Sequence, residues 1–159
     1  MLVQGAAGGV GTLAVQLAKL LGAGHVIAAA SSPAKLELAH SFGADSLVDY
    51  TQDNWAQQIL DITKGRGANV ILEMTGGAIL EQSLDCLAAF GRMVIYGNAS
   101  RELVVFNPQR LLPLNQAVIG FYLGNYLSSY PELIQSQLQE LVEAIVSNRL
   151  KLYHVRLIA

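Results

Sequence analysis

Eight residues near the start of the chain, Gln4-Gly5-Ala6-Ala7-Gly8-Gly9-Val10-Gly11, have the types and spacing to hold a phosphate. Ala6-x-Gly8-x-x-Gly11 is the Gly-x-Gly-x-x-Gly pattern with alanine in the first place, expected between a first strand and a first helix. Ala6 must fit a tight turn. Gly8, without a Cβ, lets an anion approach the backbone, and Gly11 lets the following helix lie close to the strand. The open amides of that helix N-terminus would then face a dinucleotide pyrophosphate, with a dipole contribution of about 0.3–1 kcal/mol.

The selector of the dinucleotide belongs at the end of the second strand, where a carboxylate would bond a ribose 2′-OH. Ala30-Ser31-Ser32 stands there, with no acid. Two hydroxyls and the following Lys35 suit a 2′-phosphate, so the expected cofactor is NADPH rather than NADH. Lys35 has a plain alternative as a solvated first-turn lysine. His25, His40 and His154 are scattered without metal-ligand spacing, so no metal site is expected. Cys86 is the only cysteine, which excludes an internal disulfide or a cysteine-based zinc site and fits a reducing cytoplasm. Glu81 and Asp85, an i,i+4 pair, read as a solvated helix face.

The elements that must position these residues follow from hydrophobic period. Residues 10–21 form a helical run with Val10, Leu13, Ala14, Leu17, Ala18 and Leu21 on one stripe and Gln16 and Lys19 off it. Residues 25–30 make a short buried strand, closing a βαβ unit. Ser32 caps a helix with Pro33 at its first position, running to about Phe42 and stopping at Gly43. Residues 46–49 are a third strand. Asp53 or Asn54 caps a helix carrying Trp55, Ile59, Leu60 and Ile62. A strand at 70–74, a helix at 79–89 and a strand at 92–96 follow. Residues 103–106 are extended, 107–112 a helical turn, 117–121 a sixth strand, 131–146 an amphipathic helix with Leu133, Leu138, Leu141 and Ile145 inward, and 153–158 a last strand. The alternation predicts an α/β class: a Rossmann-type doubly wound parallel sheet of about six strands with helices on both faces.

With 159 residues the chain is one domain's worth, expected to be a dinucleotide-binding domain over 1–159. It is 52% hydrophobic and only 14% charged, against about 25% charged in typical domains, so some apolar surface is expected to meet another domain or subunit. A net charge of −2 gives no reason to expect nucleic acid or an acidic membrane as partner. No stretch approaches the roughly 20 apolar residues of a membrane span. The first strand has almost no lead-in, as expected of a piece excised from a larger protein.

Taken together the residues resemble the zinc-free quinone oxidoreductase branch of the medium-chain dehydrogenase/reductase superfamily, across nearly the whole chain. The markers are Ala6-Ala7-Gly8-Gly9-Val10-Gly11, Phe42-Gly43-Ala44-Asp45 before a strand ending Asp49-Tyr50, Glu81-Gln82-Ser83-Leu84-Asp85-Cys86-Leu87, and Tyr96-Gly97-Asn98-Ala99-Ser100. The resemblance implies a parent with a GroES-like catalytic domain outside this sequence, which transfers hydride from NADPH to a quinone or an activated enone. The isolated chain is then not expected to be catalytically competent, and no catalytic residue is assigned in it. It implies that Gly9 and Val10 meet the pyrophosphate and that Ser31, Ser32, Lys35 and Tyr50 surround the 2′-phosphate. It places Thr75, Tyr96, Gly97 and Asn98 near the ribose and nicotinamide, and Phe121, Tyr122 and Leu123 along the carboxamide. Structural roles remain open for these: Tyr50 as a strand-end aromatic, Thr75 as a cap, Tyr96 as core. In this family two such domains pair along the sixth strand, and the apolar strand near 117–121 would otherwise leave a bare edge. A homodimer is therefore expected.

Other functions stay in view. Short-chain dehydrogenases share the sheet but need Tyr-x-x-x-Lys, and no tyrosine here has lysine four residues on. A methyltransferase has a similar first turn but not the later motifs. The cofactor domain of a zinc-dependent alcohol dehydrogenase is the alternative enzyme, separated by the serine-rich second-strand end and Tyr96-Gly97-Asn98. A non-catalytic dinucleotide-sensing or structural module is the alternative outside enzymes.

Overall fold

The structure is a computed structural model that describes residues 1–153. Six strands form one all-parallel sheet: β1 (Leu2–Gln4), β2 (Ile27–Ala30), β3 (Ser46–Asp49), β4 (Ala68–Glu73), β5 (Leu87–Ile95) and β6 (Ala117–Gly120). Their order is β3-β2-β1-β4-β5-β6, so the direction of winding reverses between β1 and β4, the switch point at which open α/β sheets take ligands. In register Val3 lies beside Ala28 on one side and Leu72 on the other.

Strand alternation divides the core between two faces. Leu2, Ile27, Ile71 and Met93 point to one, covered by Trp55 and Ile59 of α3 (Trp55–Ile62) and Leu80 and Leu84 of α4 (Gly77–Asp85). Val3 and Ala28 point to the other, covered by Ala14, Val15 and Ala18 of α1 (Gly9–Leu20) and Ala39 of α2 (Pro33–Ser41). The indole of Trp55 is fully buried and donates to Gln82 Oε1.

Several local expectations need correction. The buried side of α1 is set by Gly11, Ala14, Val15 and Ala18, whereas Val10 and Leu21 are exposed and Gln16 is buried. Small residues win that face because the helix lies hard against the first turn. Gln16 is tolerated there because its Nε2 donates to Thr12 O at 3.0 Å. The fourth helix stops at Asp85, and residues 87–89 belong to β5. The extra residues are taken up in a register shift opposite Ala68 and Val70, with Phe90 at φ 58°. Cys86 is the residue after the helix rather than within it. Ser32 occupies the N-cap position of α2 without a side-chain capping bond. Residues 103–106 join no strand, although Val104 and Phe106 pack on the core. Asn107 does cap the 3-10 turn Pro108–Leu111, its Oδ1 accepting from Gln109 N at 2.9 Å.

By compactness the chain divides into Met1–Phe121 and Tyr122–Ala159. The second unit holds α5 (Leu123–Ser129), which the sequence reading missed, and α6 (Pro131–Val146), which it placed correctly. Leu133 and Leu138 are half-exposed rather than inward, and Ala144 is the buried residue of α6. Within this unit the seven-residue α5 is too short to cover the 16-residue α6. The last expected strand, at 153–158, lies almost wholly outside the described residues; Tyr153, the one described member, is not in a strand.

Candidate nucleotide-binding site

The chain leaves β1 through Gly5 at φ +60°, where a Cβ would come within 2.8 Å of Met74 Sδ. Ala6 is fully buried beneath the turn. Gly8 N donates back to Gly5 O at 2.9 Å, and Thr12 N to Gly8 O at 2.9 Å. The amides of Gly9, Val10 and Gly11 therefore open the first turn of α1 with no preceding carbonyl in helical register. Nothing lies within 4 Å of a Cβ built on Gly9, so that face is open. Gly11 is the opposite case: a Cβ there would sit 2.7 Å from Ala6 Cα and 2.8 Å from Ala6 C. A Cβ on Gly8 would meet Gly5 O at 3.3 Å, a tight contact within the turn itself.

A cleft of about 210 Å³ lies over this turn, lined by Gly5, Ala7, Gly8, Ala30, Lys35, Tyr50 and Met74. Residues from the carboxyl ends of β1 to β4 thus converge on one space. Gly8, Lys35 and Tyr50, far apart in sequence, were expected together; Gly5, Ala7, Ala30 and Met74 were not singled out. Gly5 carried a readable signal, a glycine directly after the apolar strand. Lys35 Nζ donates to Ser31 Oγ at 2.9 Å, so the ammonium and the hydroxyl form one exposed cluster at the end of β2. The neighbouring acid, Asp49, is engaged with Thr51, accepting from its N at 2.9 Å and its Oγ1 at 2.7 Å. The Thr51 hydroxyl, then its amide, hold the Asp49 carboxyl below the usual range. Neither Ser31 nor Ser32 lines the cleft. A larger cavity, about 550 Å³, lies against Met1, His25, Ile27 and Arg66 at the amino ends of the strands. Ligands in open α/β sheets bind beyond the carboxyl ends, so the smaller cleft is the candidate site.

Beside the cleft, β4 ends in a turn braced by Glu73. Its Oε1 accepts from Thr75 N at 2.5 Å and Gly76 N at 3.1 Å. Burial pushes the Glu73 carboxyl up, against the pull of the Gly76, Thr75 and Met74 amides. The loop after β5 lies on the same turn: Ala99 N donates to Met74 O at 2.9 Å and Ser100 N to Thr75 O at 2.7 Å. A Cβ on Gly97 would meet Met74 Cβ at 3.3 Å. Thr75, Tyr96, Gly97 and Asn98 are in this way gathered at the carboxyl ends of β4 and β5. Burial pushes the Tyr96 hydroxyl up. Phe121 follows β6, its N donating to Ile95 O at 2.8 Å. Leu123 opens α5 in the second unit. Among the described residues there is no group of three or more His, Cys, Asp or Glu side chains able to hold a metal, and no helix is long and apolar enough to cross a membrane.

The strand order and the glycine turn at the switch point define a Rossmann-type fold. The zinc-binding dehydrogenase family matches residues 9–141. The chain is 36% identical over 146 residues to a quinone oxidoreductase of Pseudomonas aeruginosa, covering 89% of this chain and 43% of that protein. The crystal structure of Escherichia coli quinone oxidoreductase complexed with NADPH superposes with a TM-score of 0.85 at 32% identity, over 97% of this chain and 47% of that one. CurK enoyl reductase superposes at 0.80 with 30% identity, over 96% and 45%. The chain spans about two fifths of the length of the curated relatives it matches. It belongs to the medium-chain dehydrogenase/reductase superfamily, in its quinone oxidoreductase-like branch.

Proposed function

We propose that residues 1–159 are the NADPH-holding part of an oxidoreductase whose acceptor is a quinone or an activated enone. One observation carries this reading: Gly8, Lys35 and Tyr50 line one cleft, with Ser31 bonded to Lys35 and Asp49, on the neighbouring strand, bonded to Thr51. The residues fit the nucleotide. The Gly9 and Val10 amides meet the pyrophosphate at the open end of α1. Lys35, Ser31, Ser32 and Tyr50 take the 2′-phosphate, where a carboxylate would repel it. Thr75, Tyr96, Gly97, Asn98 and Phe121 border the ribose and nicotinamide. When bound, NADPH supplies the hydride. This chain's residues bind and orient it, with Met74 lining one side of the cleft. The residues that position the acceptor belong to sequence outside residues 1–159, in the catalytic domain of the parent.

The bound NADPH of the Escherichia coli relative supports the cofactor, and the likeness to an enoyl reductase supports including activated enones. A reducing cytoplasm fits the single buried cysteine. The β6 edge, with Ile119 exposed, suits pairing with a second copy. The full-length protein that carries this chain is the test. NADPH-dependent turnover of a simple quinone or enone is expected; tight NADPH binding without turnover of either would replace the enzyme reading with a sensing module.

A further inference from the structure

Two buried side-chain oxygens lack a donor, and their residues follow the paired ends of neighbouring strands. Gln4 and Glu73 are both fully buried. Each stands one residue beyond the last paired residues of its strand, Val3 and Leu72. By alternation both point to the face holding Leu2 and Ile71. Gln4 Nε2 donates to Ser83 Oγ at 3.1 Å, and that hydroxyl is itself committed to Ile79 O at 2.8 Å. In this orientation of the amide Gln4 Oε1 is left without a donor. Glu73 Oε1 holds the Thr75 and Gly76 amides, and Oε2 has no partner. Two acceptors cannot satisfy one another, and an unpaired buried carboxylate is costly.

We infer that Glu73 is a neutral carboxylic acid whose Oε2–H donates to Gln4 Oε1, a positioning residue that locks the end of β4 to the end of β1 across the switch point. A single proton satisfies both oxygens. The groups facing Glu73 allow it: Gln4 from β1, the Tyr96 phenol from β5, and the amides and Thr75 hydroxyl of its own turn, with no cation among the influences on it. Burial raises its pKa in the same direction. The lock bears on the cleft because Met74, the residue between Glu73 and its amide partners, forms one wall and packs where a Cβ on Gly5 would go. Ionisation sets two acceptors against each other and loosens that wall. The inference does not rest on which nucleotide is bound.

Infrared spectroscopy of the whole chain reads the proton directly. At about pH 6.5, above the ordinary glutamate value of about 4.3, a protonated-carboxyl carbonyl band is expected in the wild type and is lost in Glu73→Gln, which keeps the donor to Gln4 and the acceptor for Thr75 and Gly76. Folding stability gives an independent reading. With its folded pKa raised, Glu73 stabilises the fold below the ordinary glutamate value and loses that contribution as pH rises to the raised one. Across this window the wild-type folding constant falls, approaching about tenfold per pH unit. Glu73→Gln lacks this decline. Should that variant not fold, Gln4→Met removes the acceptor together with the bond to Ser83, and is expected to move the carbonyl band to higher frequency. Absence of the band in the wild type, with only ionised carboxylate in that region, overturns the inference; so does a band that Gln4→Met leaves unmoved.

Discussion

Gly11→Ala tests the packing on which the glycine turn depends. The added Cβ falls 0.7 Å short of the 3.4 Å at which ordinary contact with Ala6 Cα begins, and the atoms it meets are backbone. No side-chain rotation relieves it; α1 must move away from β1, across the face packed by Ala14, Val15 and Ala18. Overpacking of this kind costs about 1–3 kcal/mol, here at the upper end because backbone must give, and alanine in a helix returns about 1 kcal/mol over glycine. The net loss is about 2 kcal/mol, roughly thirtyfold in the folding constant. Gly9→Ala is the matched control, since nothing lies within 4 Å of its Cβ, and no loss is expected. Urea unfolding followed by fluorescence of Trp55, the only tryptophan and fully buried, gives both values. A Gly11→Ala chain as stable as wild type, or a Gly9→Ala chain destabilised equally, refutes the reasoning.

Lys35→Ala is expected to weaken NADPH binding about tenfold, the loss of one charge-assisted hydrogen bond, and to leave NADH binding nearly unchanged; calorimetry with both nucleotides reads the difference. Burial pushes the Cys86 thiol up to about 12, so thiol reagents at mildly alkaline pH are expected to label it only as fast as the chain unfolds, and rapid native-state labelling would contradict its burial. Asp45 is held below the usual carboxylate range, chiefly by Lys19 Nζ at 2.8 Å and then by the Val26 amide. Its contribution to stability is present above the ordinary aspartate value and lost as pH falls through the depressed one. The stability gap between wild type and Asp45→Asn is therefore expected to close in acid, as read by urea unfolding across pH.

The βαβ start, the parallel sheet and most element positions were legible because glycine, proline and apolar period mark them locally. The boundary between α4 and β5 was not. Leu87, Ala88 and Ala89 are good helix formers, and pairing of Leu87 with Ala68 overrides that preference. The stripe on α1 was misread because hydrophobicity points to Val10 and Leu21, whereas close approach selects Gly11, Ala14 and Ala18. The cleft was legible in part: Gly8, Lys35 and Tyr50 follow three different strands, and strand order alone brings them together. Met74 and the buried Gln4–Glu73 pair were invisible, since their roles come from register between β1 and β4.

Selection of NADPH is proposed to lie in the Lys35–Ser31 cluster at the end of β2. Titration of the chain with NADPH and with NADH under the same conditions tests it most directly. NADPH is expected to bind at least about tenfold more tightly, the worth of a charge-assisted contact to the 2′-phosphate. Equal or tighter binding of NADH would contradict the account.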